Sequence, residues 1–376
     1  MGNCPPLISL VSSINTTRKA LAMNRRAFMQ WAGALVSAAA FSCATPRTDV
    51  RSMATREESI RTWSGRIRRI LGQGRVPIID PEATYWHAID IKFIVREMDR
   101  LGVAQVAFAP KFFLGSATSL ELHQRYPEYF IPTTADGSSW HWDRQPQEFI
   151  DQVIAEFKSG KYFMMGEYEI RHYPSPIPGS SGQMHMDRDI TVPWDTKALH
   201  DLFRFSEEYR VAFLIHYEIE DALLPQLEKM LASYPGAQVI WAHLGQIRYP
   251  NRAKRYGPDY VESLISRFPN LYFDLGGMVW PGHVYPGSGA RDNTLFEFTG
   301  SPPYGGYLKR EWQDLLNIRP ERFLAATDMN GERWPMFPKI IDRFRNLILG
   351  QLSERARHLI AYQNAWKLIA ADSWRS

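Results

Sequence analysis

From residue 76 onward the chain repeats one unit: a short apolar run, a loop, and an amphipathic segment. The apolar runs are Val76–Asp80, Gln105–Ala109, Phe130–Thr134, Phe163–Tyr168, Ala212–His216, Gln238–His243, Leu271–Asp274 and Phe323–Ala326. Helical patterns fall between them at Ile89–Leu101, Glu148–Ser159, Thr196–Tyr209, Leu223–Ser233 and Asp259–Phe268, with another at Lys339–Leu352. In the first of these, Ile91, Ile94, Met98 and Leu101 recur at three-and-four spacing with charged residues between them, which makes one apolar helix face. Short strands that alternate with helices need crossover connections, so a parallel sheet is expected. Eight such units predict a single-domain α/β protein, a (β/α)8 TIM barrel. A doubly wound sheet is the other architecture with this alternation, but no Gly-x-Gly-x-x-Gly follows the first strand.

The loops are unequal. Helix-to-strand turns are short, as in Gly102-Val103-Ala104 and Pro269-Asn270, whereas the stretches after strands four and seven run over residues 169–195 and 275–308. In a barrel all strand-to-helix loops open on the catalytic face, so the elaboration lies at one end.

Charge separates this body from what precedes it. The chain has 44 basic and 40 acidic residues, and its first 43 residues hold four basic side chains and no acidic one. The rest is neutral, which argues against nucleic acid as a partner. Both cysteines, Cys4 and Cys43, also lie in that first stretch, so the body has no disulfide, thiolate metal site or Cys nucleophile. Residues 23–43 place Arg25-Arg26 before an apolar stretch, Phe28 to Phe41, too short to span a bilayer comfortably, and then Cys43. That order resembles a twin-arginine signal, which implies the twin-arginine export machinery as partner and a periplasmic mature protein. Ser42-Cys43 resembles the end of a lipoprotein signal, although Ala40-Phe41 fits that pattern poorly. The expected organisation is a signal segment over 1–43, a charged linker over 44–74 and the barrel over 75–376.

The chemistry candidates sit at strand ends. Strand five ends in His216, strand six runs into His243-Leu-Gly, and Asp328 follows strand eight. Strand one leads into Asp80-Pro-Glu82-Ala-Thr84 and strand four into Gly166-Glu167-Tyr168-Glu169. Residues two apart in a strand share a face, so Glu82 pairs with Thr84 and Glu167 with Glu169. Carboxylates and imidazoles gathered at one mouth are costly to bury unpaired, and a shared metal ion offsets that cost.

In this order the strand-end residues resemble the amidohydrolase superfamily, in particular its amidohydrolase-2 group of decarboxylases and hydrolases. The resemblance covers residues 76–370 and includes Glu97-Met-Asp-Arg-Leu-Gly-Val103 and the closing Asn364-Ala-Trp-Lys-Leu368. It implies His216 as a metal ligand, Asp328 as a ligand or base, and His243 as a ligand or a substrate-polarising group. Where the family has His-x-His on strand one, this chain has Glu82-Ala83-Thr84, which points to a mononuclear site of Glu82, His216 and Asp328, with His243 or Glu169 as a further ligand. Nitrogen and oxygen donors with an open position suit Zn²⁺, or else Mn²⁺. Arg171, Arg248 and Trp280 follow strands four, six and seven and are the candidate substrate-binding residues. The implied activity is hydrolysis of a small amide or lactone by metal-activated water, or non-oxidative decarboxylation of a small acid, with Asp328 and His243 as the catalytic pair. A homodimer is common among proteins of this kind. A non-catalytic binding barrel using the same mouth is the reading from outside the enzymes.

Overall fold

The computed structural model describes residues 54–86, 89–137, 142, 144–178, 184–185, 189–247, 249–279, 295–298 and 306–375. The expected signal segment lies outside them. Helix α1 (Arg56–Gly72) precedes eight parallel strands: β1 (Ile78–Tyr85), β2 (Val103–Pro110), β3 (Phe130–Pro132), β4 (Met165–His172), β5 (Ala212–Tyr217), β6 (Gln238–Trp241), β7 (Leu271–Asp274) and β8 (Phe323–Leu324). Each crossover between successive strands carries a helix, in order α2 (Ile91–Leu101), α3 (Ala117–Arg125), α4 (Pro146–Lys158), α5 (Lys197–Tyr209), α6 (Leu224–Ser233), α7 (Pro258–Arg267) and α8 (Arg310–Ile318). Parallel neighbours cannot be joined by a tight turn, so this is the connection they require. Three further helices, α9 (Phe337–Arg343), α10 (Glu354–His358) and α11 (Asn364–Ala370), follow β8.

Strands β1–β3 form one sheet and β4–β8 another, with every pairing between these strands parallel. The sheets meet at both edges. Thr133 bridges Met164 and Gly137 bridges Tyr168 between the β3 and β4 segments, and Ala83 bridges Met329 between those of β1 and β8. At the second seam Thr84 N–H donates to Met329 O at 2.7 Å. The strand order is therefore the cyclic order of the expected (β/α)8 barrel, with the ladder reduced to isolated bridges at two seams. At the first seam β4 carries Gly166, where a Cβ would lie 2.9 Å from Thr134 O. Only glycine lets the two backbones pass this closely.

Residues 56–72, expected as part of a linker, are helical instead. Thr55 and Glu58 form a reciprocal capping box at the N-terminus of α1. Trp63, Ile67 and Ile70 make a stripe at helical spacing within an arginine-rich segment, and all three are buried in the core. Arg66 is also buried: it donates to the carbonyls of Val103 and Ala104 at the start of β2 and pairs with Asp99 at 2.8 Å. The high charge that suggests a linker thus belongs partly to a side chain that caps strand carbonyls. Replacing Trp63 by Ala should destabilise the folded protein by about 3–5 kcal/mol, the range for emptying a buried Trp site. Denaturant unfolding measures it, and a change below about 0.5 kcal/mol would mark α1 as loosely attached.

Candidate metal centre

Strand register decides which side chains meet inside the barrel. Glu167 pairs with Leu214 and Glu169 with His216, so these four share one face, while Tyr168 and Ile215 take the other. Tyr168 accordingly packs outward on Trp142 and Phe149. A register shift between Met165 and Glu167 marks a bulge at Gly166, directly before Glu167. On β6, Ile240 pairs with Leu214, so alternation would place Ala242 inside the barrel and His243 outside it. The backbone overrides that alternation. His243 and Leu244 adopt left-handed conformations, φ 57° and 48°, and the His243 imidazole turns back toward β4. Asp328, just beyond β8, is also left-handed at φ 55°. Strain of this kind in non-glycine residues costs on the order of 1–3 kcal/mol and persists where surrounding contacts enforce it.

The imidazoles converge on one carboxylate. Glu167 Oε1 lies 3.1 Å from His216 Nδ1 and 3.2 Å from His243 Nε2. Glu82 Oε1 is 3.5 Å from the same His243 nitrogen. Glu82 sits against the backbone of Gly276, where a Cβ would fall 1.9 Å from Glu82 Oε2. Asp274, at the end of β7, accepts hydrogen bonds through Oδ1 from the backbone N–H groups of His243 and Gly276. Among the described residues three donor groups result, each with its atoms within 4.8 Å of one another: Glu167–His216–His243, Glu82–His243–Asp274 and His172–His216–Glu218.

The electrostatics follow from this crowding. Burial pushes Glu82 well above the usual carboxylate range, and the charges of Asp274, Asp328 and Glu167 push it further. Asp80 rises to about 7 by burial, against the hydrogen bonds that it accepts from Thr327 and from the Glu82 backbone. Asp274 rises to about 6, again by burial and partly offset by His243. Burial would raise Glu167 too, but its bonds to His216 and His243 hold it well below the ordinary value. For His243 burial favours the neutral ring, yet Asp328, Glu167 and Asp274 together raise it to about 9. Glu82 Oε2 and Asp274 Oδ2 are buried and accept no hydrogen bond from any described residue. Orphaned buried carboxylate oxygens beside two imidazoles are the donor set that a divalent cation satisfies.

Of the residues singled out in the sequence, Glu82, His216 and His243 are brought together here. Asp328 acts on Glu82 and His243 through its charge, but its Oδ2 is held by Arg333 Nη1 at 3.0 Å. Glu169 is buried on the same strand face as Glu167, yet none of the three donor groups includes it. Arg171 is committed elsewhere: it pairs with Asp189, donates to Ile190 O at 2.8 Å and lies 3.5 Å over the Tyr173 ring. Trp142 is core, its Nε1 donating to Glu169 O. Arg248 and Trp280 lie outside the described residues. The sequence reading named Glu167 beside Glu169 but took Glu169 as the ligand, and it did not pick Asp274, His172 or Glu218. Asp274 closes a strand just as His216 does, and that signal was available. Choosing Glu167 over Glu169 needs the bulge geometry.

Two outcomes are expected. In chelator-treated protein, the raised His243 value gives stability that is complete below pH 6.5 and lost as pH rises through about 9. The raised Asp80 and Asp274 values give stability lost earlier, through about 7 and about 6. The lowered Glu167 value works on the acid side only, where its contribution disappears as pH falls. Thermal scans should therefore show a Tm decreasing by several degrees from pH 6 to pH 9, and a flat or rising profile would contradict these assignments. Gly276→Ala must move Glu82, because the two cannot occupy the same space. A crystal structure or a metal titration of that variant should show the carboxylate displaced or divalent-ion binding weakened.

The sequence profile of the family described as Amidohydrolase, of the amidohydrolase-2 type, matches residues 163–370, more than half the chain. No curated protein matches. Among solved structures, an amidohydrolase from Burkholderia multivorans with bound zinc superposes with a TM-score of 0.50 at 12% identity, over 78% of this chain and 99% of that one. That likeness supports the barrel fold. A 2,6-dihydroxybenzoate decarboxylase complexed with 2,6-dihydroxybenzoate (TM-score 0.47, 14% identity, 79% and 98% covered) and a probable 2-pyrone-4,6-dicarboxylic acid hydrolase from Acinetobacter baumannii with citric acid bound (TM-score 0.45, 12% identity, 78% and 99% covered) resemble it more loosely. With its profile match and its mouth of convergent imidazoles and carboxylates, the chain belongs to the amidohydrolase-2 family of metal-dependent hydrolases and decarboxylases.

Proposed function

We propose that the protein hydrolyses a small organic amide or lactone at a single divalent-ion centre held by Glu167, His216 and His243, with Glu82 beside it. One observation carries this reading: a single oxygen of Glu167 lies 3.1 and 3.2 Å from nitrogens of two imidazoles on successive strands. A tetrahedral ion with legs of about 2.0–2.1 Å spaces its ligand atoms roughly 3.3 Å apart. The three atoms already approximate that spacing on two edges. This set shares His216 with the one expected from the sequence, takes His243 in place of Glu169 as the further ligand, and puts Glu167 in the place of Glu82 and Asp328. Two nitrogens and a carboxylate suit zinc first and manganese second.

When bound, such an ion supplies Lewis acidity, polarising a carbonyl oxygen and acidifying water. The remaining work falls to the chain. His243 Nδ1 faces Gly276 O at 3.4 Å, a contact that leaves Nε2 to serve the centre. Asp328 takes the proton of the attacking water, and Arg333 fixes its carboxylate at the mouth. Glu82 and Asp274 offer their unpaired oxygens to the charge that the centre gathers. The proposal includes export: Arg25-Arg26 and the apolar segment after them would deliver the mature chain to the periplasm.

The test is metal analysis of purified protein together with turnover of a panel of amides, lactones and aromatic acids. About one equivalent of zinc or manganese is expected, with hydrolysis lost on chelation and lowered at least about 100-fold in His216→Ala and Glu167→Ala. Turnover confined to the acids would make the enzyme a decarboxylase. Absence of bound metal, with thermal stability indifferent to chelator and no turnover, would leave a binding barrel and overturn the proposal.

A further inference from the structure

We propose that Glu218 is the positioning carboxylate of His216, fixing which of its ring nitrogens faces the centre. The inference rests on the metal reading of Glu167, His216 and His243. His216 makes two contacts of equal length: Nδ1 lies 3.1 Å from Glu167 Oε1, and Nε2 lies 3.1 Å from Glu218 Oε1. A neutral imidazole has one N–H and one lone pair. Ligation through Nδ1 therefore requires the proton on Nε2, and Glu218 is the acceptor placed there. A carboxylate in that position orients the ring and makes its opposite nitrogen a stronger donor.

Glu218 is built to stay where it is. It is fully buried. Its Oε2 accepts from Tyr173 N–H at 2.9 Å, and Gln246 Nε2 donates to Oε1 at 3.1 Å. Its own backbone N–H donates to Arg171 O, and Ile219 N–H donates to Gln246 O. The loops after β4, β5 and β6 thus meet at this carboxylate. The His172 ring stacks against His216, centroids 5.1 Å apart and planes 25° apart, which limits rotation of the imidazole. His172 Nε2 is 3.9 Å from Glu218 Oε1, so a competing arrangement is a second ion among His172, His216 and Glu218.

The test uses chelator-treated full-length protein, zinc as the probe, a chromophoric competitor for affinity, and thermal scans without metal. Glu218→Gln keeps the shape and removes the charge. It should raise the zinc Kd about 10–100-fold at an unchanged stoichiometry of one, with the metal-free Tm within a few degrees of wild type. Gln246→Asn shortens the donor that holds Glu218 and should raise Kd a few-fold. If Glu218→Gln does not fold, Gln246→Asn decides, and an unchanged Kd there overturns the proposal. A purely structural role would lower the metal-free Tm and leave Kd alone, which also overturns it. Two zinc equivalents in wild type falling to one in Glu218→Gln would make Glu218 a ligand and not a positioning group. Failure of wild type itself to bind zinc would bring down the metal centre, and this proposal with it; failure confined to the variants brings down only the role of Glu218.

Discussion

The carboxylate of Glu167, shared by two imidazoles, is the contact on which the mouth of this barrel is organised. Around it stand Glu82, Asp274 and Asp80, each buried and each pushed toward its neutral form. Glu167 alone is held firmly ionised, because both histidines face it. The resulting cluster is charge-frustrated: burial and like charge shift Glu82, Asp80 and Asp274 toward their neutral forms, while the surrounding carboxylates draw His243 toward its charged form. In the proposed centre a bound cation would oppose the upward shifts of Glu82, Asp274 and His243 and reinforce the downward shift of Glu167. Metal binding and proton release are then the same event seen from two sides.

The backbone contributes as much as the side chains. Strand alternation alone would place His243 among the helices, and two consecutive left-handed residues return it to the interior. Asp328, just beyond β8, is also left-handed. The bulge at Gly166 marks the entry to Glu167 on β4, and the bare backbone of Gly276 leaves room for Glu82. Apart from the bulge, which lies at the start of β4, these departures follow the C-terminal ends of β6, β7 and β8, where the barrel has backbone to spare for chemistry. At the opposite end Arg66 of α1 caps the start of β2.

How much of this could be read from the residues differs by scale. The barrel was legible because hydrophobic periodicity alternates between two and three-to-four residues along the chain, and all eight strands fall within or beside the expected runs. His216, His243 and Glu82 were legible because each ends or leaves an apolar run. Helix α1 was hidden by its own arginines, since composition outweighed a stripe of only Trp63, Ile67 and Ile70. The sequence pointed to Glu169 and not Glu167, because both share a face and only the bulge and the converging rings of the folded chain distinguish them. Glu218 was invisible for another reason: its partners Tyr173 and Gln246 come from distant loops, and nothing local marks it. Asp274 obeyed the rule that found His216, since it closes the apolar run Leu271–Asp274.

The position of the metal tests the account most directly. Anomalous diffraction collected at the zinc edge, on crystals of zinc-loaded protein, would place the ion without reference to activity. The account predicts one peak about 2.0–2.2 Å from Glu167 Oε1, His216 Nδ1 and His243 Nε2. A peak between Glu82 and Asp328 that leaves Glu167 beyond bonding distance, or no peak in loaded crystals, would contradict it.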